Sequence, residues 1–174
     1  NTTVGLTNLD EAIELARRIG AEGIECEMLV RRVEVLVTAE RFEEALTEAD
    51  RLEPERALTL LALGLALNNR KHFADAKTAL VHSLELQSES MEAVAALAEA
   101  ESGLGNFDAA ASHAERALQR APANAAANLV IGLVLIERRQ YAEAQEALLK
   151  AMSADPDSPK AVYQLSLVAA RLGD

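Results

Sequence analysis

The sequence predicts an all-α protein made of stacked antiparallel helix pairs. Two observations carry this reading. A set of small, apolar and aromatic residues recurs every 34 positions, and on both sides of short polar breaks the apolar residues stand three and four apart. Composition agrees: half of the residues are hydrophobic but only 3% are aromatic, so the apolar mass is Ala, Leu and Val, which suits close helix packing better than a sheet core.

The recurring set is explicit. Phe73, Phe107 and Tyr141 are each followed three places later by Ala76, Ala110 and Ala144, and Phe42 with Ala45 is a further copy 31 residues earlier. A second register repeats with the same step: Leu63-Gly64, Leu97-Ala98, Ile131-Gly132 and Leu165-Ser166. Breaks such as Gly105-Asn106 and Arg139-Gln140 separate two amphipathic helices in each copy, so each copy is a helical hairpin. The small residues Gly64, Ala98, Gly132 and Ser166 are expected to face Ala76, Ala110 and Ala144 and let the two axes approach. The aromatic is expected to fill the wedge toward the following hairpin.

Read in order, the chain is one array over 1–174. Residues 9–25 form a second helix only, beginning at Leu9-Asp10-Glu11-Ala12. Hairpins follow at about 26–56, 57–90, 91–124 and 125–158, and 159–174 is a first helix only. Pro122 and Pro156 end second helices, and Ser158 before Pro159 is expected to give a side-chain cap and a first-turn proline. The absence of an initiator Met and the stop within a repeat lead us to expect a piece of a longer protein.

The period, the Leu-Gly or Leu-Ala pair, the Phe or Tyr, the Ala three residues on and the terminal Pro together resemble the tetratricopeptide repeat. The resemblance covers about Leu9 to Asp174. Departures are Leu60, Val94, Asn128 and Val162, where the family often has Trp, and Gln87-Ser88, where it often has Pro. The resemblance implies an α-α superhelix, a right-handed solenoid of antiparallel hairpins. Its concave groove would be lined by the first helices and used to hold a peptide or helix of a partner protein.

At about 100° per residue, one stripe of the first helices lies away from the hairpin partner. The candidate groove residues on it are Val30 and Glu34, then Leu58, Leu61 and Leu65, then Glu92 and Glu99, then Leu129, Leu133 and Ile136, and last Tyr163 and Leu167. This is an apolar groove with an acidic band, and the expected partner carries apolar anchors with basic flanks. The missing chain, a second copy or the Asn1–Thr7 tail are the other candidates for covering the stripe. A clamp for a terminal carboxylate, built of Lys, Asn and Arg, is not expected: only Lys160 and Arg171 are basic near the stripe, and solvated helix ends explain them.

Chemistry is not legible. The net charge of −11 argues against nucleic acid as a partner. Cys26 is the single cysteine and is expected to pack, with Glu25 and Glu27 beside it. His72, His82 and His113 show no metal-ligand spacing, and Glu43-Glu44, Asp108 and Glu143 begin second helices, where anions suit the helix dipole. No catalytic, cofactor or metal residues are expected, and the chain does not read as an enzyme. No run approaches the roughly 18 apolar residues of a membrane span, so a soluble segment is expected, in the cytoplasm or the periplasm. Thirteen Arg against four Lys suggests a bacterial source. Two other classes stay open: an accessory region of a larger enzyme or of a bacterial secretion or envelope assembly machine, and a self-assembly module that forms a homo-oligomer through an exposed solenoid end.

Overall fold

The computed structural model describes residues 2–20, 22–49 and 56–173, with side chains described for 5–20, 27–48 and 57–173. The described residues form ten helices and no strand: α1 (Thr2–Ile19), α2 (Glu22–Thr38), α3 (Phe42–Ala49), α4 (Arg56–Asn69), α5 (Phe73–Leu86), α6 (Met91–Gly103), α7 (Phe107–Arg120), α8 (Ala125–Glu137), α9 (Tyr141–Ala154) and α10 (Pro159–Leu172). They fall into two compact units, Asn1–Ser88 with α1 to α5 and Glu89–Asp174 with α6 to α10. Residues 2–7 are the first turns of α1 rather than a free tail, and α2 starts at Glu22, ahead of Cys26. The Cys26 side chain lies outside the described residues.

The hairpin turn is set by backbone geometry. In the second unit Asn106 donates its N–H to Glu101 O at 2.9 Å and Gly105 to Ser102 O at 3.1 Å. Gln140 and Arg139 repeat this onto Leu135 O and Ile136 O, both at 2.9 Å. In the first unit Arg41 with Glu40, and His72 with Lys71, make the same pair of bonds. Each is a Schellman ending, which needs one left-handed residue just past the helix. That residue is Glu40, Lys71, Gly105 and Arg139, with φ of 60°, 64°, 81° and 59°. Only one of the four is glycine, so three hairpins hold an ordinary side chain where it costs about 1–2 kcal/mol.

The residue after the left-handed one is the N-cap of the second helix, which begins at the aromatic. Its carbonyl accepts the N–H of the alanine three residues past the aromatic: His72 O from Ala76, Asn106 O from Ala110 and Gln140 O from Ala144, at 2.9 to 3.0 Å. None of these cap side chains bonds the helix start. Asn106 instead donates Nδ2 to Glu101 Oε2 at 2.7 Å, and the His72 ring lies against Phe42 at a centroid distance of 4.1 Å. First helices are capped by side chains: Ser90 Oγ accepts from Ala93 N at 3.3 Å and Asn124 Oδ1 from Ala127 N at 2.8 Å. The expected Ser158 cap is not formed; Pro159 at the start of α10 already removes one unpaired N–H and presets φ.

The close approach within each hairpin has a partner that differs from the expected one. A Cβ on Gly64 would meet the Leu80 side chain at 2.4 Å, and one on Gly132 would meet Leu148 Cγ and Cδ2 at 2.7 Å. The nearest part of Ala144 is its carbonyl oxygen, at 3.6 Å. The glycines therefore accommodate a leucine one turn past the repeated alanine. Leu80 and Leu148 are fully buried. At the same register the α6–α7 hairpin has Ala98 and Ala114, both fully buried. The larger side chain stands on the second helix only where the first has glycine.

Two predictions follow from this geometry. Gly132→Ala is expected to lower unfolding free energy by about 1–3 kcal/mol through overpacking. Adding Leu148→Ala should then cost less than it does in the parent, measured as coupling in a double-mutant cycle by urea unfolding. Independently, Arg139→Gly is expected to raise stability by about 0.5–1 kcal/mol and Gly105→Ala to lower it by about 1 kcal/mol, since the left-handed φ is the only constraint there. Equal and opposite neutrality at both positions would contradict the backbone account.

Candidate functional site

In the second unit the first helices α6, α8 and α10 share one face, with α8 packed against both neighbours. An open cleft of about 300 Å³ lies on it, lined by Glu99 and Ser102 of α6, Phe107 of α7, and Leu133, Ile136 and Glu137 of α8. Phe107 reaches α8 here, and Tyr141 packs with Ala161 and Val168 of α10, so in this unit the repeated aromatic does fill the space toward the next hairpin. Leu133 and Ile136 are half-buried against the cluster of Leu129, Leu148 and Val168, which leaves one flank of each for the cleft.

One ion pair crosses this face. Lys160 Nζ, from the first turn of α10, meets Glu99 Oε1 of α6 at 2.5 Å, 61 residues away. The Glu99 side chain is 20% exposed and that of Lys160 49%. Lys160 is thus engaged with the acidic band rather than standing as a solvated helix end. Arg171 Nη1 reaches Tyr141 Oη at 3.4 Å.

The other groove candidates are distributed as follows. Leu129 is buried at 8% and belongs to the core beneath the cleft. Glu92 is exposed, Tyr163 is 64% exposed and Leu167 37%. In the first unit Leu61 is buried, Leu65 half-buried and Leu58 exposed on α4. Val30 of α2 packs on Ile13 and Leu29, joining α2 to α1, while Glu34 is exposed. The stripe is therefore partly hairpin core. A 100° step per residue assigns an angle but not the neighbours: Leu61 is buried, and Leu129 is buried in one cluster with Ala144, Leu148, Ala161 and Val168 of α9 and α10.

A second cleft, lined by Arg32, Glu43, Glu44 and Glu48 of the first unit, is polar. Arg32 pairs with Asp10 and stands 3.6 Å from Glu48, tying α1 to α3. Arg41 donates to both Glu44 oxygens at 2.7 and 2.5 Å. That bond holds the Glu44 carboxyl below its ordinary pKa and the Arg41 guanidinium above its own. Among the described residues no group of three or more His, Cys, Asp or Glu could hold a metal ion, and no helix is long and apolar enough to cross a membrane.

Comparison with known proteins places this geometry. Residues 102–171 match the family model of the tetratricopeptide repeat. The chain is similar to MamA from Desulfovibrio magneticus RS-1, with TM-score 0.63 and 24% identity over 86% of each chain. It is similar also to the tetratricopeptide domain of Sgt2 from Aspergillus fumigatus, with TM-score 0.59 and 24% identity over 69% of this chain and 80% of that one. A third similar structure is YrrB, described as a tetratricopeptide protein with an unusual peptide-binding site, with TM-score 0.60 and 18% identity over 93% of this chain and 84% of that one. No curated protein matches. The described residues share the all-α, tetratricopeptide-type fold of these structures, and residues 102–171 match the family model itself.

The sequence did not show the Lys160–Glu99 bridge, since nothing local links positions 61 residues apart. Because the Lys160 end is half exposed, solvent screens the bridge and it should add little to stability. A double-mutant cycle on Lys160→Met and Glu99→Gln is expected to give a coupling of roughly 0.2–1 kcal/mol, shrinking in high salt. A coupling of several kcal/mol would mean that the pair is a buried structural strut.

Proposed function

We propose that this chain is a protein-interaction scaffold that holds a peptide or helix of a partner protein against the first-helix face of α6, α8 and α10. The observation that carries the proposal is the cleft floored by Phe107, Leu133 and Ile136 with carboxylates at its rim. A packed hairpin array has no internal need for such a cleft, and apolar floors with a few polar groups are what recognition sites use. The unusual peptide-binding site ascribed to YrrB, an array of similar fold, is consistent with this use. The groove is apolar and partly acidic, as Glu99 and Glu137 line its cleft, and it favours partners with apolar anchors and basic flanks.

A second reading rests on α10. Val162, Tyr163 and Leu172 are 45%, 64% and 41% exposed, whereas Leu60, Val94 and Asn128, at the Val162 register of the other first helices, are all nearly inaccessible. Self-association through this face is the alternative. It requires a mass that rises with concentration in light scattering and falls back with Val162→Glu.

The groove reading is tested by placing a photo-crosslinking amino acid at Leu133 and, in a separate variant, at Leu149 on the exposed side of α9. Illumination in cells of the source organism is expected to give a partner adduct from position 133 and none from 149. Adducts from 149 alone would move the interaction surface to the second helices. The buried Leu61 and Leu129 are unsuitable for such tests, because a charge there would unfold a hairpin before it reported on binding.

A further inference from the structure

The charges around the second-unit cleft are set against the helices that carry them. The cleft lies at the C-terminal ends of α6 and α8, which contribute Ser102 and then Ile136 with Glu137. The last-turn carbonyls of both helices are already taken by the N–H groups of the turns, so the negative charge of the cleft comes from its carboxylates, Glu99 and Glu137. Neither helix has a basic residue in its last turn, and α8 ends on the carboxylate of Glu137. Arg138, the next residue, is turned away to Asp108 at 2.8 Å. Lys160 has the opposite mismatch: it stands in the first turn of α10, where the dipole disfavours a cation and no acidic residue of that turn offsets it. It is nevertheless drawn 61 residues across the fold to Glu99.

Resting on the groove reading above, we infer that this cleft recognises a cationic side chain, arginine or lysine, next to a bulky apolar one in the partner segment, and that Lys160 is the intramolecular cation this ligand displaces from Glu99. The apolar side chain lies on Phe107, Leu133 and Ile136. The cation lies between Glu99 and Glu137, where it meets two carboxylates at once. Lys160 marks the site, since the chain itself seats an ammonium on Glu99. It is also a weak occupant: half exposed, at the wrong end of its helix, and with the cleft's apolar floor left uncovered. The ligand replaces one cation by another, so Glu99 is not left unpaired in either state. The specificity comes from Glu137 and the apolar floor, which Lys160 does not use. The net charge of −11 adds attraction for a basic segment at long range.

The probe is a phage-displayed library of random dodecapeptides, selected on the whole 174-residue chain. Clones that bind the parent and are lost on Leu133→Glu, a variant checked to be equally helical, are expected to pair Arg or Lys with Leu, Ile, Phe or Met. Synthetic versions should bind Lys160→Met about two- to fivefold more tightly than the parent, the range an exposed ion pair is worth, and Glu99→Gln more weakly by a similar factor. In the Lys160→Met, Glu99→Gln double variant the gain from Lys160→Met should vanish. Leu133-dependent clones without basic residues, or affinity unchanged or weakened by Lys160→Met, would overturn this inference and leave the groove reading standing. If selection yields no Leu133-dependent clone, both are overturned.

Discussion

The structure depends on how closely two helices approach within one hairpin. Where the first helix has Gly64 or Gly132, the second helix inserts Leu80 or Leu148 into space that a Cβ would already fill. Where the first helix has Ala98, the second has Ala114 at the same register, and both are inaccessible to solvent. A large side chain stands on the second helix only where the first has no Cβ, and the total volume differs between the pairs. Each pair is fitted by itself, since packed interiors penalise overlap and voids alike.

Given that spacing, the turn fixes direction. A Schellman ending followed at once by the next helix leaves no loop to vary, so the left-handed residue is required even where the sequence supplies Glu40, Lys71 or Arg139. The aromatic that begins each second helix is then carried to a constant position. In the second unit Phe107 and Tyr141 both meet the following first helix. Hairpin spacing and turn geometry between them decide which face of α6, α8 and α10 is left uncovered. The candidate site is a consequence of these two constraints.

The helices were legible because the 34-residue step repeats several times, and repetition averages out the accidents of any one segment. What a period cannot give is the rotation of one helix against another. The alanine three residues after the aromatic was expected to meet the small residue, and the actual contact is one turn further on, at Leu80 and Leu148. The same gap explains why Leu61 and Leu129 are buried and why Val30 packs toward α1. Gly105-Asn106 and Arg139-Gln140 both marked turns, but the left-handed φ within them was not legible, since Lys71 and Arg139 carry charged side chains at the register of Gly105. The Ser158 cap was expected from residue type alone, but capping needs a hydroxyl within reach of an N–H, which composition does not report. Lys160 and Glu99 were each noted on the stripe; their pairing depends on helices α6 and α10 flanking α8.

Charge placement separates structural acids from the others. Asp75, Asp108 and Glu143 stand in the first turns of second helices, and Ser90 and Asn124 cap first helices, all as helix electrostatics favours. Glu44 is satisfied by Arg41, and Glu48 lies beside Arg32. Folding is enough to account for these. Glu137 at the end of α8 and Lys160 at the start of α10 oppose their own helices; Glu137 lines the apolar cleft, and Lys160 pairs with Glu99 beside it. Glu85 in the last turn of α5 opposes its helix in the same way, so a mismatch alone marks no site. What distinguishes Glu137 is its place beside Glu99 over the apolar floor of Phe107, Leu133 and Ile136, and under the groove reading a partner's cation would offset these two carboxylates.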